Sequence, residues 1–224
     1  MKKWLENFLT PSLWNGGERV DIDYNKEIVF ERLKNIYEKA HLRRYEFALE
    51  QVGPDEFWGD FACGSAYGSA MLADKVAQVI GADIDEKTVR VIRKRYASRY
   101  NLSLQQTDLR QLNFNEVFDG IVSFETLEHF TQEDMQKVLA NFHKALKPNG
   151  KLIFSTPYME ERSPIKIKMG FHFTFDIDED KMKQWLTQNG FRISNFLYQN
   201  YVDYKVGEHL TKKDFLIGIA EKIA

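Results

Sequence analysis

One cysteine, Cys63, stands in 224 residues, so no disulfide can form within the chain. Neither sign of charge dominates, and the formal net charge is −2. That balance excludes a general electrostatic footprint for nucleic acid and leaves only a local patch. No apolar run is long enough to cross a bilayer, and there is no signal-peptide core. A soluble, cytoplasmic protein is the default expectation. The short amphipathic stretch Trp4-Leu5-Glu6-Asn7-Phe8-Leu9 reads as a lid or a partner contact rather than an anchor. Repeats and low-complexity segments are also missing. Aromatic residues, by contrast, are plentiful, and many fall outside the expected strands, which suits either core packing or an aromatic-lined pocket. The length suits one large α/β domain with a substantial core.

Turn formers and aromatics mix over residues 1–25, which read as an arm. Residues 26–50 carry apolar positions at helical spacing, closed by Gly53-Pro54. Strands and helices then alternate. Strands are expected at 57–62, 75–83, 102–107, 118–124 and 151–155. Helices are expected at 67–74, 86–100 and 133–146, the last stopped by Pro148-Asn149-Gly150. The run 118–124 is almost continuously apolar, as a strand buried on both faces of a parallel sheet should be. A basic, irregular insertion follows, then a helix at 178–189 and two adjacent strands, 191–198 and 214–221, that read as an edge hairpin. The expectation is an α/β, Rossmann-like, seven-stranded, mostly parallel sheet with an antiparallel terminal hairpin. Helices cover both faces, with an N-terminal helical cap at 1–52 and the main domain at 53–224, interrupted by an insertion at 157–177.

The chemistry concentrates after the strands. Asp60-Phe61-Ala62-Cys63-Gly64-Ser65-Ala66-Tyr67-Gly68 is a small-residue loop between a strand and a helix, where a ligand can approach the backbone. Its glycine spacing is not the G-x-G-x-x-G of dinucleotide binders. Asp83 ends the second strand about twenty residues on, where a ribose-binding acid belongs. Asp85 reads as the N-cap of the next helix. In Thr107-Asp108-Leu109 the carboxylate can accept from an adenine amine, or merely close a turn. Asp60 can accept from an ammonium.

These pieces, with Phe118-Asp119-Gly120-Ile121-Val122-Ser123-Phe124-Glu125 and Leu146-Lys147-Pro148-Asn149-Gly150-Lys151, resemble class I S-adenosylmethionine-dependent methyltransferases over residues 55–156. The resemblance implies S-adenosylmethionine as cofactor. It places Asp60, Ala62, Cys63 and Gly64 on the first loop, Asp83 and Ile84 on the second, Thr107, Asp108 and Leu109 on the third, and Phe124 and Glu125 on the fourth. Two departures stand out: Ala62 and Ala66 occupy places where the family usually has glycine. Gly17-Glu18-Arg19 and His41-Leu42-Arg43-Arg44-Tyr45-Glu46-Phe47-Ala48 are similar to small methyltransferases of bacterial surface-sugar and other glycan pathways. That similarity implies an arm over cofactor and acceptor, with Arg44 and Tyr45 at the methionine end; packing of Tyr45 in a helix is the plainer alternative.

The acceptor should lie beside Glu125-Thr126-Leu127-Glu128-His129. Two carboxylates and an imidazole at this spacing can converge on one helical face. The E-x-x-E-H pattern resembles a magnesium site in ubiquinone-pathway O-methyltransferases and small-RNA 2′-O-methyltransferases, and the latter add a later histidine, here His172 in Phe171-His172-Phe173-Thr174-Phe175. Three readings stay open. Glu125, Glu128, His129 and His172 hold magnesium; or His129, Glu128 and His172 act without metal, a histidine being the base; or Glu128 and His129 are structural. The segment Glu160–Lys168 can meet a phosphate or lie solvated, and Tyr198, Tyr201 and Tyr204 can face the pocket or pack the hairpin. The expected activity is O-methylation of a small polar acceptor such as a sugar or phosphate-bearing metabolite. An RNA 2′-O-methyltransferase, disfavoured by the charge balance, and a non-catalytic cofactor-binding or scaffold protein are the alternatives.

Overall fold

A computed structural model describes residues 20–223. The Trp4–Leu9 stretch and Gly17-Glu18-Arg19 lie outside the described residues. Among those described, the strands are β1 (Phe57–Phe61), β2 (Gln78–Asp83), β3 (Leu102–Gln106), β4 (Phe118–Phe124), β5 (Leu146–Pro157), β6 (Phe191–Gln199), β7 (Val206–Gly207) and β8 (Phe215–Lys222). The helices are α1 (Ile36–Leu49), α2 (Tyr67–Ala73), α3 (Glu86–Arg95), α4 (Gln132–Ala145), α5 (Pro164–Met169) and α6 (Glu179–Gln188).

The strands form one sheet in the order β3-β2-β1-β4-β5-β8-β6-β7. Strands β1 to β5 are parallel, whereas β8 runs antiparallel between β5 and β6. Sheet order reverses between β1 and β4, so a ligand crevice belongs at the carboxyl ends of these strands. The expected count of seven is corrected to eight. The extra strand, β7, pairs only two residues with Tyr198 and Gln199, too few to leave a period-two signature in sequence.

Alternation along the strands sorts side chains between two helical layers. Phe61, Phe118 and Phe154 face α4 and α6, packing on Phe142, Met182 and Leu186. Trp58, Val122 and Ile153 face α1 and α2, packing on Leu42, Tyr45, Tyr67 and Leu72. Each fully buried phenylalanine contributes about 1.5–3 kcal/mol of hydrophobic stabilisation. Gly120 makes room for Trp58: a Cβ there would stand 2.3 Å from the indole. Asp60 lies two residues after Trp58, on the α1 side of β1.

Several boundaries differ from expectation, each for a local reason. Helix α1 begins at Ile36 rather than near Lys26, because Asn35 caps it by accepting the Glu38 N–H at 2.9 Å. Helix α3 ends at Arg95, where Tyr96 leaves helical geometry and turns a buried ring inward. Strand β5 starts pairing at Leu146, before the proline. Its register jumps from Leu146 opposite Phe118 to Lys151 opposite Gly120, which extrudes residues 147–150. The insertion is not wholly irregular: Ser163 caps α5, Pro164 opens it, and Gly170 closes it at φ 71°.

Candidate functional site

The loop after β1 is held by backbone bonds to β2. Cys63 N–H donates to the Ala82 carbonyl at 2.9 Å, and Gly64 N–H donates to Asp83 Oδ2 at 3.1 Å. Alternate residues Ala62, Gly64 and Ala66 take left-handed φ of 64°, 53° and 57°. This alternation is why glycine suits all three positions and why two alanines carry strain. A Cβ on Gly64 would meet nothing within 4 Å, so the loop borders open space beside Asp83. Cys63 is buried, and burial pushes its thiol pKa well up, which suits a structural role.

Asp83 is almost fully buried, with Oδ1 accepting the Asp85 N–H at 2.9 Å. Ile84 beside it is 56% exposed, an apolar surface at the mouth of the loop. Thr107 N–H donates to the Asp83 carbonyl at 2.9 Å, bringing the third loop against the second. Asp108 closes a turn, one of the two expectations for it. It caps the 3-10 turn Leu109–Gln111 and takes the Arg110 guanidinium at 2.7 Å, which holds its carboxyl below the usual range. Leu109 is buried.

Arg44 and Tyr45, adjacent on α1, reach two different strand ends. Tyr45 donates its hydroxyl to Asp60 Oδ1 at 2.9 Å, and Ser69 donates to Oδ2 at 2.5 Å. Burial raises the Asp60 pKa to about 6, although these two hydrogen bonds pull it down. Arg44, buried, lies 4.2 Å over the Phe215 ring and bonds Glu125 Oε1 at 3.1 Å. Ser155 donates to the same oxygen at 2.9 Å, and Glu125 itself sits at φ 48°. Phe124 is buried against the Tyr45 ring, 5.1 Å between centroids.

His41 was given no role by the sequence. It packs among Tyr45, Tyr67 and Phe124, with Nδ1 2.7 Å from the Tyr67 hydroxyl. Burial, then the nearby Arg44, holds its pKa well below the usual value, so the ring is neutral at pH 7. Its four-residue spacing from Tyr45 was the available signal for a shared face. Ser69 and Ser155 had no such signal, since only the fold brings them to their carboxylates.

The sequence-distant histidines meet. Glu128, His129 and His172 each offer a ligand atom within 4.8 Å of the others. Glu125 is not part of this group. The segment around His172 is laced onto the turn after β4: Phe173 N–H donates to the Glu128 carbonyl at 2.8 Å, and Thr174 Oγ1 to the Phe130 carbonyl at 2.7 Å. His129 Nδ1 lies 2.8 Å from the Phe171 carbonyl, so it carries the proton and Nε2 the lone pair of the neutral ring. Glu128 is 1% exposed, and neither of its carboxylate oxygens makes a hydrogen bond of full geometry, although Thr156 and the backbone stand near enough to favour its ionised form slightly. Burial, reinforced by Glu125, raises its pKa well above the carboxylate range. A buried carboxyl left without hydrogen bonds of full geometry beside two imidazoles fits a divalent cation. This donor set mixes nitrogen and oxygen, which suits zinc or manganese better than oxygen-seeking magnesium.

The family model for a methyltransferase domain matches residues 60–150, the span from Asp60 through the extruded turn before Lys151. Residues 60–150 thus resemble a methyltransferase domain. A Mycolicibacterium smegmatis protein with the name "Probable S-adenosylmethionine-dependent methyltransferase" is 28% identical over 167 residues, covering 71% of this chain and 62% of that protein. A Coxiella burnetii ubiquinone biosynthesis O-methyltransferase is 28% identical over 148 residues, covering 60% of this chain and 62% of that protein. The chain thus spans about three fifths of the length of these curated relatives. A solved S-adenosylmethionine-dependent methyltransferase from Mesorhizobium loti superposes with a TM-score of 0.67 at 20% identity, covering 84% of this chain and 100% of that one. The fold is therefore the Rossmann-like methyltransferase fold, and the class I methyltransferase domain implies S-adenosylmethionine as cofactor. No helix among the described residues is long and apolar enough to cross a membrane.

Proposed function

We propose that the chain transfers a methyl group from S-adenosylmethionine to a hydroxyl of a small polar acceptor, such as a sugar or phosphate-bearing metabolite. The observation that carries the reading is the convergence of Glu128, His129 and His172 at the carboxyl end of β4. A neutral amine acceptor needs little help with its proton, whereas a hydroxyl needs a base or a cation. In this reading Asp83 accepts the ribose hydroxyls, Ile84 lies along the adenine, and Asp60, Tyr45 and Arg44 surround the methionine end. Of the segment 1–52, the described residues 20–52 act as a cap over the domain at 53–224.

The acceptor oxygen forms a bond to the methyl carbon as the carbon–sulfur bond breaks. The bond pair returns to sulfur, giving S-adenosylhomocysteine, and the hydroxyl proton passes to Nε2 of His129 or, where that nitrogen would be held by a cation, to water. Alignment of oxygen, carbon and sulfur supplies much of the acceleration. Glu128, His129 and His172 would hold a divalent cation, which would lower the acceptor hydroxyl pKa as a Lewis acid. Without a cation, Nε2 of His129 is the base. Turnover to S-adenosylhomocysteine with chelator, then with added manganese, zinc or magnesium, separates the two. Activity that survives chelation removes the cation and leaves His129.

RNA 2′-O-methylation is the second reading, favoured by the same Glu-His-His cluster and by Arg162 and Lys168 near it in sequence. The net charge of −2 speaks against extended RNA contact, and Lys166 is already paired with Glu160. Methyl transfer to a short single-stranded RNA, but to no sugar or nucleotide, would replace the leading reading. A folded protein that binds the cofactor but methylates neither class would instead be a scaffold.

A further inference from the structure

Glu160 lies in the segment after β5, outside every motif that the fold made familiar. Its backbone is fixed by a short ladder: Asp176 N–H donates to the Glu160 carbonyl at 2.9 Å, and Met159 N–H to the Ile177 carbonyl at 2.9 Å. This places its carboxylate against His172, with Oε2 2.5 Å from Nδ1. The other oxygen takes Lys166 Nζ from α5 at 3.0 Å. Paired with the Lys166 ammonium on one oxygen and with His172 on the other, Glu160 is the anion of a salt bridge. An ionised carboxylate only accepts, so Nδ1 of His172 must donate. Nε2 is then the nitrogen able to take a proton or ligate an ion.

The arrangement repeats what the Phe171 carbonyl does for His129. Two rings whose centroids stand 5.0 Å apart are thus set in the same tautomer by two different acceptors. We propose that Glu160 is a positioning residue of the acceptor site: it fixes His172 as the Nδ1–H tautomer, and Lys166 on α5 secures it in turn. The insertion is then a working part of the site. The inference shares residues with the proposed acceptor chemistry, but a tautomer can be measured with no cofactor, cation or acceptor present.

The test is long-range proton–nitrogen NMR of histidine-labelled protein above the ordinary histidine pKa, with His172 assigned by His172→Asn. The wild type should show a proton on Nδ1 and none on Nε2. Glu160→Ala, checked for folding by its thermal transition, should lose that preference. Glu160→Gln should keep it, since its amide oxygen still accepts. In parallel, manganese or zinc affinity by calorimetry should fall roughly 10–100-fold in Glu160→Ala and less in Glu160→Gln. A wild-type proton on Nε2, or an unchanged tautomer in folded Glu160→Ala, overturns the inference. The expected tautomers in a wild type that binds neither metal uphold Glu160's role and remove the cation instead.

Discussion

The Tyr45 hydroxyl donates to Asp60 Oδ1 at 2.9 Å, and both side chains are buried. This hydrogen bond ties α1, ahead of the matched span, to β1 at the residue where that span begins. Tyr45→Phe keeps the ring that packs on Phe124 and Tyr67 but leaves a buried carboxyl oxygen unpaired. The expected cost is about 1–3 kcal/mol in urea unfolding. An unchanged midpoint would mean that the bond contributes nothing.

Asp60 predicts a pH dependence of cofactor affinity. Burial raises its pKa to about 6, above the unfolded value of roughly 3.9. The folded state thus binds the proton more tightly, and this group's contribution to stability falls as pH rises between those values. Affinity for the ammonium of S-adenosylmethionine should run the other way, strengthening as pH rises through about 6. Asp60→Asn should flatten the profile. Calorimetric titration across this range checks it, and a flat wild-type profile would detach Asp60 from the methionine end.

The positions of most strands were legible from the sequence, because buried parallel strands write continuous apolar runs such as Phe118–Phe124, whereas their order in the sheet came only with the structure. What stayed hidden was short or non-local. Two-residue β7 is below any periodic signal, and Glu125 meets Ser155, and Glu160 meets His172, only through the fold. Other signals were present but outweighed. Asn35 with Glu38 marks the start of α1, and Ser163-Pro164 with Gly170 marks α5, yet the apolar spacing and the basic composition pulled the reading elsewhere. The motif likeness named Glu125, Glu128, His129 and His172 together; the structure brings ligand atoms of the last three within 4.8 Å of one another, while Arg44 and Ser155 engage Glu125.

Backbone strain at Ala62 is testable by removing its side chain. A left-handed alanine costs about 1–2 kcal/mol, and glycine returns part of that through a freer unfolded chain. Ala62→Gly should be stabilising by roughly 0.5–1 kcal/mol, read as a higher thermal midpoint. A lower midpoint would show that the methyl group's packing outweighs the strain.

Glu128 carries the opposite trade. Both its oxygens are buried without hydrogen bonds of full geometry, which costs about 1–3 kcal/mol in the ion-free protein. Glu128→Met, of similar shape, should raise stability by about that amount while abolishing manganese or zinc binding. A destabilised Glu128→Met would point to a structural carboxyl and against a place for a cation.

The central claim is that the loops after β1 and β2 form an S-adenosylmethionine site. Calorimetric titration of the folded protein with S-adenosylmethionine and S-adenosylhomocysteine tests it most directly. Saturable binding of both is predicted, weakened by about 1.5–3 kcal/mol in Asp83→Ala as the ribose acceptor is lost. Folded protein that binds neither ligand, or an Asp83→Ala variant with undiminished affinity, would contradict it.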